Sequence, residues 1–250
     1  MHRVEWDELI AAEMAKSRSM VAAHTYRGRK WNTQCSPVVL GCDDGRDYVV
    51  KGAQTGKAVV NEQVVGRLGG LINAPIPSVQ IVLVPTELVT IEPEISHVYH
   101  GFAHGSPIQE NCTDKRWLAH TDVSENEARF AALAVLYGWT SANDPQMIYS
   151  LDKPQLVWSV DHGNFFPGGP DWSVTQLHTT EAACVLANIS AVCKTQHIQE
   201  TLDVLAEVKP EQIAAAVAAP PPTWQITTEE RRELAMMIER RRTELLDWNP

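Results

Sequence analysis

The chain has 250 residues, 44% hydrophobic and 21% charged, which is the composition of an ordinary globular protein built as one folded unit. Its formal net charge of −10 argues against a nucleic-acid or anionic-membrane partner, because such a chain would repel either surface. The cysteines include no C-x-x-C pair, no segment has the roughly 18 uninterrupted apolar residues of a membrane span, and the first residues do not resemble a signal peptide. We therefore expect a cytoplasmic protein with reduced thiols.

The first part of the chain predicts one helix and then mainly β structure. Residues 5–17 have the pattern of a surface helix. The apolar run 37–40, the turn-forming run 42–46 and the β-branched run 47–51 together predict a hairpin of two strands. Apolar residues then recur at helical spacing over 58–72, and residues 79–84 predict another strand.

A stretch with three histidines follows. His97, His100 and His104 lie in a stretch with Gly101 and Gly105, and we predict a loop there that is either structural or on the substrate side. A metal site is the alternative, but no acidic residue or cysteine completes a set of ligands.

The remainder of the chain is predicted to be mainly helical. Ser124 and Glu127 have the spacing of a capping box, which would begin a helix ending near Trp139. Residues 146–161 predict a second hairpin around a polar turn. Further helices are predicted over about 181–208, 210–218 and 228–246, the last capped by Thr228. The fold class is therefore α+β with two lobes, a β-rich one at about 20–100 and a helical one at about 101–250.

Three side chains have the chemistry of a phosphotransferase. Lys51 ends a predicted strand, Glu62 lies on the next helix where it can pair with that lysine, and aspartates belong to the second hairpin of the helical part. Phosphoryl transfer needs a lysine on the phosphates, an acid that holds the lysine, and carboxylates for Mg²⁺. The simpler alternative is that Lys51 is a solvated surface charge. A P-loop is excluded, since the glycine spacing near Gly52–Ala58 is one residue short.

The order of several short motifs resembles the HipA-like kinase family, which is distantly related to protein kinases and phosphatidylinositol kinases. The motifs are Tyr48–Lys51, Asn61–Leu68, Ala74–Pro77, Trp139–Asp144 and Val160–Gly163. The resemblance covers about residues 25–245 and implies a two-lobed protein-kinase-like fold that binds ATP and Mg²⁺.

The resemblance also implies a role for individual residues. Lys51 would contact the ATP phosphates and Glu62 would steady it. Asp144 would be the catalytic base and Asp161 the Mg²⁺ carboxylate. The loop of residues 32–36 would cover the phosphates, with Thr33, Gln34 and Ser36 as its contributing residues.

One motif departs from the family pattern. Relatives commonly have Asp-Arg-His-x-x-Asn, whose asparagine binds a second Mg²⁺, whereas this chain has Tyr149 at that position, and a phenol is a poor Mg²⁺ ligand. The candidates to replace the asparagine are Asn143, Gln146 or Asn164. Two functions follow as hypotheses: an ATP-dependent kinase acting on Ser or Thr of a protein, including itself, or a catalytically impaired pseudokinase that binds a nucleotide or a regulatory partner.

Overall fold

The computed structural model describes residues 2–17, 19–113 and 117–248. Its N-terminal half is built around a closed barrel with the strand order β1-β2-β3-β5-β4. The barrel closes because β1 pairs with β4 in parallel, whereas the other neighbouring strands are antiparallel. The five strands are β1 (Met20–Lys30), β2 (Val38–Cys42), β3 (Asp47–Gly52), β4 (Gln80–Val84) and β5 (Gly101–Pro107).

The second half is mainly helical and contains a small antiparallel sheet. This sheet has the order β6-β7-β8, with β6 (Cys112–Thr113), β7 (Gln146–Ser150) and β8 (Val157–Val160). The α-helices of the described residues are α1 (Arg3–Met14), α2 (Lys57–Leu71), α3 (Thr86–Ile91), α4 (Ser124–Thr140), α5 (Val174–Thr179), α6 (Ala187–Ser190), α7 (Thr195–Ala206), α8 (Pro210–Ala218) and α9 (Thr228–Leu246).

The buried apolar residues form two separate cores. One fills the barrel, and the other joins α2 to the C-terminal helices around α4. The first helix belongs to the second core, since Trp6 and Ile10 are buried in it and α1 packs on α8 and α9. Helix α2 therefore connects the lobes, because it follows the barrel hairpin in sequence but packs with the helical core.

The expected α+β fold with a β-rich first part and a helical remainder is confirmed. Both predicted hairpins form, as β2–β3 with Val38 opposite Val50 and as β7–β8 with Gln146 opposite Val160. The helices predicted over 58–72, 210–218 and 228–246 are α2, α8 and α9. The sheet continues past the expected lobe division near residue 100, since β5 pairs with both β3 and β4.

Four local predictions are wrong. The glycine-containing part of the predicted loop is strand β5. Gly105 fits in this strand because it has no Cβ, which would lie 2.4 Å from a methyl carbon of Val82. Helix α4 forms without the predicted capping box, and Glu127 pairs with Lys194 at 2.6 Å. Residues 181–186 are irregular rather than helical. The cap of α9 is Thr227, whose hydroxyl accepts from the amide of Glu230 at 3.1 Å.

Within the described ranges, no helix combines the length and the apolarity that crossing a membrane requires.

Candidate active site

Three side chains from separate elements meet where the two lobes join. Lys51 comes from β3, Glu62 from α2, and Asp161 directly follows β8. The Lys51 ammonium donates to Asp161 Oδ1 at 2.6 Å and also donates to Glu62 Oε1. Lys51 and Glu62 are buried, whereas the Asp161 side chain is 43% exposed. The structure thus brings the predicted lysine, helix acid and later aspartate together.

The charges of this cluster support one another. Burial alone would lower the pKa of Lys51, but the carboxylates of Glu62 and Asp161 outweigh it and raise that pKa above its usual value. Burial likewise opposes ionisation of Glu62, yet the Lys51 charge holds the pKa of this carboxyl well below its usual range. Both groups are therefore ionised at neutral pH.

Two histidines flank Glu62 on the side away from Lys51. The backbone amide of His162 donates to Glu62 Oε2 at 3.1 Å, and His104 Nε2 lies 3.9 Å from the same oxygen. Burial lowers the pKa of His104 to about 4, so its ring is neutral at pH 7. The other ring nitrogen of His104, Nδ1, lies 3.0 Å from Gln63 Nε2, which fixes the orientation of the ring.

Asn61 connects α2 to the loop that follows Asp161. Its amide nitrogen donates to the carbonyl oxygens of Gly163, Phe165 and Gly169 at 2.8, 2.9 and 3.1 Å. Its oxygen accepts from Trp172 Nε1 at 2.9 Å. Asn61 begins one of the motifs shared with the family, but the sequence alone assigns it no role. The signal that could have identified Asn61 is its polar side chain, which directly follows an apolar run and directly precedes Glu62.

Asp144 lies at the same end of the β7–β8 hairpin as Asp161. Gln146 opposes Val160 in the antiparallel register, so Asp144 and Asp161 both emerge just beyond the last ladder pair. Asp144 is exposed and has a positive φ of 52°, and its Oδ2 accepts from Gln146 Nε2 at 3.3 Å. Asn143 Nδ2 donates to the carbonyl of Phe166 at 3.0 Å, which ties this turn to the loop after Asp161.

The loop of residues 32–36 lies between β1 and β2. Ser36 donates through its amide and its hydroxyl to the Thr33 carbonyl at 3.0 and 2.9 Å, while Thr33 and Gln34 are exposed. Burial raises the pKa of the Cys35 thiol, and the charges of Lys51, Asp161 and Glu62 all act on it. The Cys35 thiol therefore lies close enough to Lys51, Asp161 and Glu62 for their charges to act on it.

The matches to known proteins agree with this arrangement. A family model described as HipA-like kinase matches residues 27–248. The chain belongs to the HipA-like kinase family. This membership supports a kinase-like function and confirms the resemblance on which the expected residue roles depend.

Two solved kinases were matched by their structure to this HipA-like kinase. The Helicobacter pylori proinflammatory kinase CtkA matches with a TM-score of 0.55 and 9% identity, covering 92% of this chain and 96% of that chain. The Golgi casein kinase matches with a TM-score of 0.46 and 9% identity, covering 99% of this chain and 77% of that chain. At such identity the likeness to CtkA shows a shared protein-kinase-like fold. No curated protein matches the sequence.

The position of Tyr149 differs from what the family motif implied. Its side chain is fully buried, and its hydroxyl donates to the Trp117 carbonyl at 2.7 Å and accepts from the Ala119 amide at 2.9 Å. Tyr149 is three residues along β7 from Gln146, the residue that pairs next to Asp161. The phenol therefore belongs to the core, and Gln146 lies nearer to Asp161 in the ladder.

The remaining predicted ligands are dispersed or exposed. Asn164 is exposed, two residues beyond His162. His97 binds the Ser36 carbonyl at 2.8 Å, whereas His104 is buried beside Glu62, so these two histidines have separate environments. Within the described part of the chain, no three His, Cys, Asp or Glu side chains are grouped so as to hold a metal ion.

Proposed function

We propose that this HipA-like kinase transfers the γ-phosphoryl group of ATP to a Ser or Thr hydroxyl of a protein, including the chain itself. The observation that carries the proposal is the Lys51 ammonium between a buried and a half-exposed carboxylate. A surface lysine would need neither partner, whereas a phosphate-binding lysine needs one acid to hold it in place.

Lys51 is positioned to bind the nucleotide phosphates. Glu62 is buried and held by the His162 amide, so it is a permanent partner. Asp161 is half exposed, so phosphate oxygens can replace it next to the ammonium while the Glu62 contact is kept. Loop residues 32–36 would then cover the phosphates from the barrel side.

The aspartates at the hairpin end fit a divalent cation. Mg²⁺ prefers oxygen ligands and is usually bound by one or two carboxylates together with substrate phosphates. Asp161 would hold it, with amide oxygens of Gln146, Asn143 or Asn164 as the neighbouring donors of the same chemical kind. When bound, the ion would neutralise charge on the transferred phosphoryl group.

Asp144 is the proposed base. It is exposed at the hairpin end next to Asp161, where a substrate hydroxyl can approach it from solvent. As a carboxylate it would accept the hydroxyl proton as the phosphoryl group is transferred. The hydrogen bond from Gln146 holds one carboxylate oxygen, Oδ2, in a fixed direction.

The pseudokinase alternative depends on Tyr149 standing in the sequence where relatives have a metal-binding asparagine. The buried phenol bonds to residues 117 and 119 instead, so it neither blocks nor replaces a ligand at Asp161. An active kinase is therefore the better-supported proposal.

The test is a transfer assay with ATP labelled in its γ-phosphate, Mg²⁺ and a protein extract. We expect labelled Ser or Thr from the wild-type chain and a loss of about 100-fold or more in Lys51→Met and Asp144→Asn. Asp122→Asn, which alters an exposed aspartate, is the matched control. Saturable ATP binding without any transfer would favour the pseudokinase, and equal transfer by Asp144→Asn would exclude its role as base.

A further inference from the structure

A cavity of about 600 Å³ lies between the end of α1, helix α2, strand β4 and helix α8. Its lining includes none of Lys51, Glu62, Asp144 or Asp161, so it is separate from the candidate active site. Its volume lies within the range of about 300–1,000 Å³ that is usual for small-molecule sites. We infer that this α2–α8 cavity binds a small monocarboxylate with an aliphatic body.

The charge in the cavity comes from Arg67. Its side chain is half buried, and its Nε donates to Gln63 Oε1 at 3.3 Å. Among the described residues, no carboxylate lies within ion-pair distance of its guanidinium. The terminal nitrogens Nη1 and Nη2 therefore remain for a ligand. A guanidinium offers two parallel N–H donors, which match the two oxygens of a carboxylate.

Burial strengthens the preference for an anion. It lowers the pKa of Arg67, yet a guanidinium remains protonated at neutral pH. A half-buried charge without an ionic partner is costly, and an anion in the cavity would offset that cost. Lys16, the other cation among the described lining residues, already contacts Glu13 Oε1 at 2.5 Å. Among the described residues of this lining, Arg67 is thus the one cation without an ionic partner, which matches a singly charged ligand better than a doubly charged phosphate.

The walls determine the rest of the ligand. One part of the lining is aliphatic, formed by residues of α2, of β4 and its approach, and of α8; it includes Leu71, Ile76, Val79, Ile81, Ala215 and Ala219. Beyond Arg67, serine and glutamine residues and the Lys16–Glu13 pair line the rest. The aliphatic side chains have no strong hydrogen-bond donors, so they suit a hydrocarbon chain. A carboxylate at one end and alkyl carbons at the other would satisfy both parts of the cavity.

The cavity is connected to the active site through side chains of α2 and β5. Gln63, which binds Arg67, also donates to the Gln80 carbonyl at 2.7 Å and lies 3.0 Å from His104 Nδ1. His104 in turn lies 3.9 Å from Glu62 Oε2. Three polar side chains, those of Arg67, Gln63 and His104, therefore link the ligand position to the acid that holds Lys51.

The test is calorimetric titration of the full chain with octanoate, and with 1-octanol as the uncharged probe of equal chain length. We expect saturable octanoate binding, at least about tenfold weaker in Arg67→Met because a charge-assisted contact is lost. Arg46→Met removes an exposed arginine of the β2–β3 turn and is the matched control, with unchanged binding. Gly70→Leu is a second variant, since an added Cβ meets no atom within 4 Å and the leucine would fill space in the cavity.

The outcomes separate clearly. Loss of octanoate binding in Arg67→Met and Gly70→Leu, with both variants folded by circular dichroism and binding retained in Arg46→Met, supports the inference. If Arg67→Met fails to fold, Gly70→Leu decides alone. Equal binding of 1-octanol, undiminished binding by Gly70→Leu, or no saturable binding by the wild-type chain would overturn it. None of these measurements uses ATP or phosphoryl transfer, so they are independent of the proposed kinase function.

Discussion

Lys51 is a buried lysine with two carboxylate partners, and this arrangement is expensive to fold. Lysine is almost never fully buried unless it is paired, and well-packed apolar residues often stabilise a core as well as a buried ion pair does. A chain that keeps Lys51, Glu62 and Asp161 together therefore retains them for a reason other than stability. Strongly shifted pKa values, such as those of Lys51 and Glu62 at the junction of the two lobes, are typical of functional sites.

Tyr149→Phe tests whether the phenol is structural. The change removes the contacts with the Trp117 carbonyl and the Ala119 amide while it keeps the ring. We expect the free energy of unfolding in urea to fall by about 1 kcal/mol, since the part-buried hydrogen bonds of the Ala119 amide and the Trp117 carbonyl lose their partner. Phosphoryl transfer by the folded variant should equal that of the wild-type chain. A selective loss of Mg²⁺-dependent activity at unchanged stability would instead show that Tyr149 contributes to the metal site.

His104 predicts a dependence of stability on pH. Burial lowers its folded-state pKa to about 4, from about 6.5 in the unfolded chain. The unfolded state therefore binds more protons between these values, and the stability contributed by neutral His104 is present above pH 6.5 and lost as pH falls towards 4.

The measurement is the free energy of unfolding across this pH window. In His104→Gln the decline should be less steep by at most about 1.4 kcal/mol per pH unit. His100→Gln, at an exposed histidine, is the control and should follow the wild-type curve. Identical slopes for wild type and His104→Gln would show that His104 is not held neutral by the fold.

At the scale of elements, α2 and the loop after Asp161 form one unit through Asn61. Asn61→Leu would leave the carbonyls of Gly163, Phe165 and Gly169 and the Trp172 indole without their partner. We expect the free energy of unfolding to fall by about 2–4 kcal/mol, since buried polar groups without partners are costly. Hydrogen exchange should also increase selectively in residues 161–169.

The control for this prediction is Asn188→Leu, at an exposed asparagine of α6. It should leave both stability and exchange nearly unchanged. Wild-type protection of residues 161–169 in Asn61→Leu would contradict the view that α2 positions the loop of Asp161.

The elements that the sequence predicts well are those with strong local patterns. The β2–β3 hairpin has a turn signal between β-branched runs, and α2 and α9 have long helical patterns. Strands β1 and β5 are not predicted, because their residues do not have a local pattern typical of a strand. Strand β1 is largely exposed and polar, and β5 contains two glycines and a histidine, so only pairing in the barrel defines them.

The candidate site divides in the same way. Lys51, Glu62 and Asp161 can be predicted because a strand lysine, a helix acid and a later aspartate follow one another in the order that phosphoryl transfer requires. The contacts of Asn61 with the 163–169 loop, and of Arg241 with the carbonyls of Gly138 and Trp139 at the end of α4, join residues about 100 positions apart. No local pattern predicts such contacts, because they depend on how helices pack.

At the scale of the whole molecule, the site depends on the joint between the two cores. Lys51 is carried by the barrel, whereas Glu62 and Asp161 are held by elements that pack with the helical core. A nucleotide bound between Lys51 and Asp161 would contact both lobes. The cation, held by Asp161, would depend on the helical lobe. The central claim is therefore that Lys51 and Asp161 act on one nucleotide–metal complex.

The most direct test is calorimetric binding of a nonhydrolysable ATP analogue with and without Mg²⁺. For the wild-type chain and for Asp122→Asn, Mg²⁺ should strengthen binding, whereas in Asp161→Asn that gain should fall by about tenfold or more. Lys51→Met should weaken binding in both conditions. If Asp161→Asn keeps the full gain from Mg²⁺ and Lys51→Met binds the analogue as the wild-type chain does, the account of this site is contradicted.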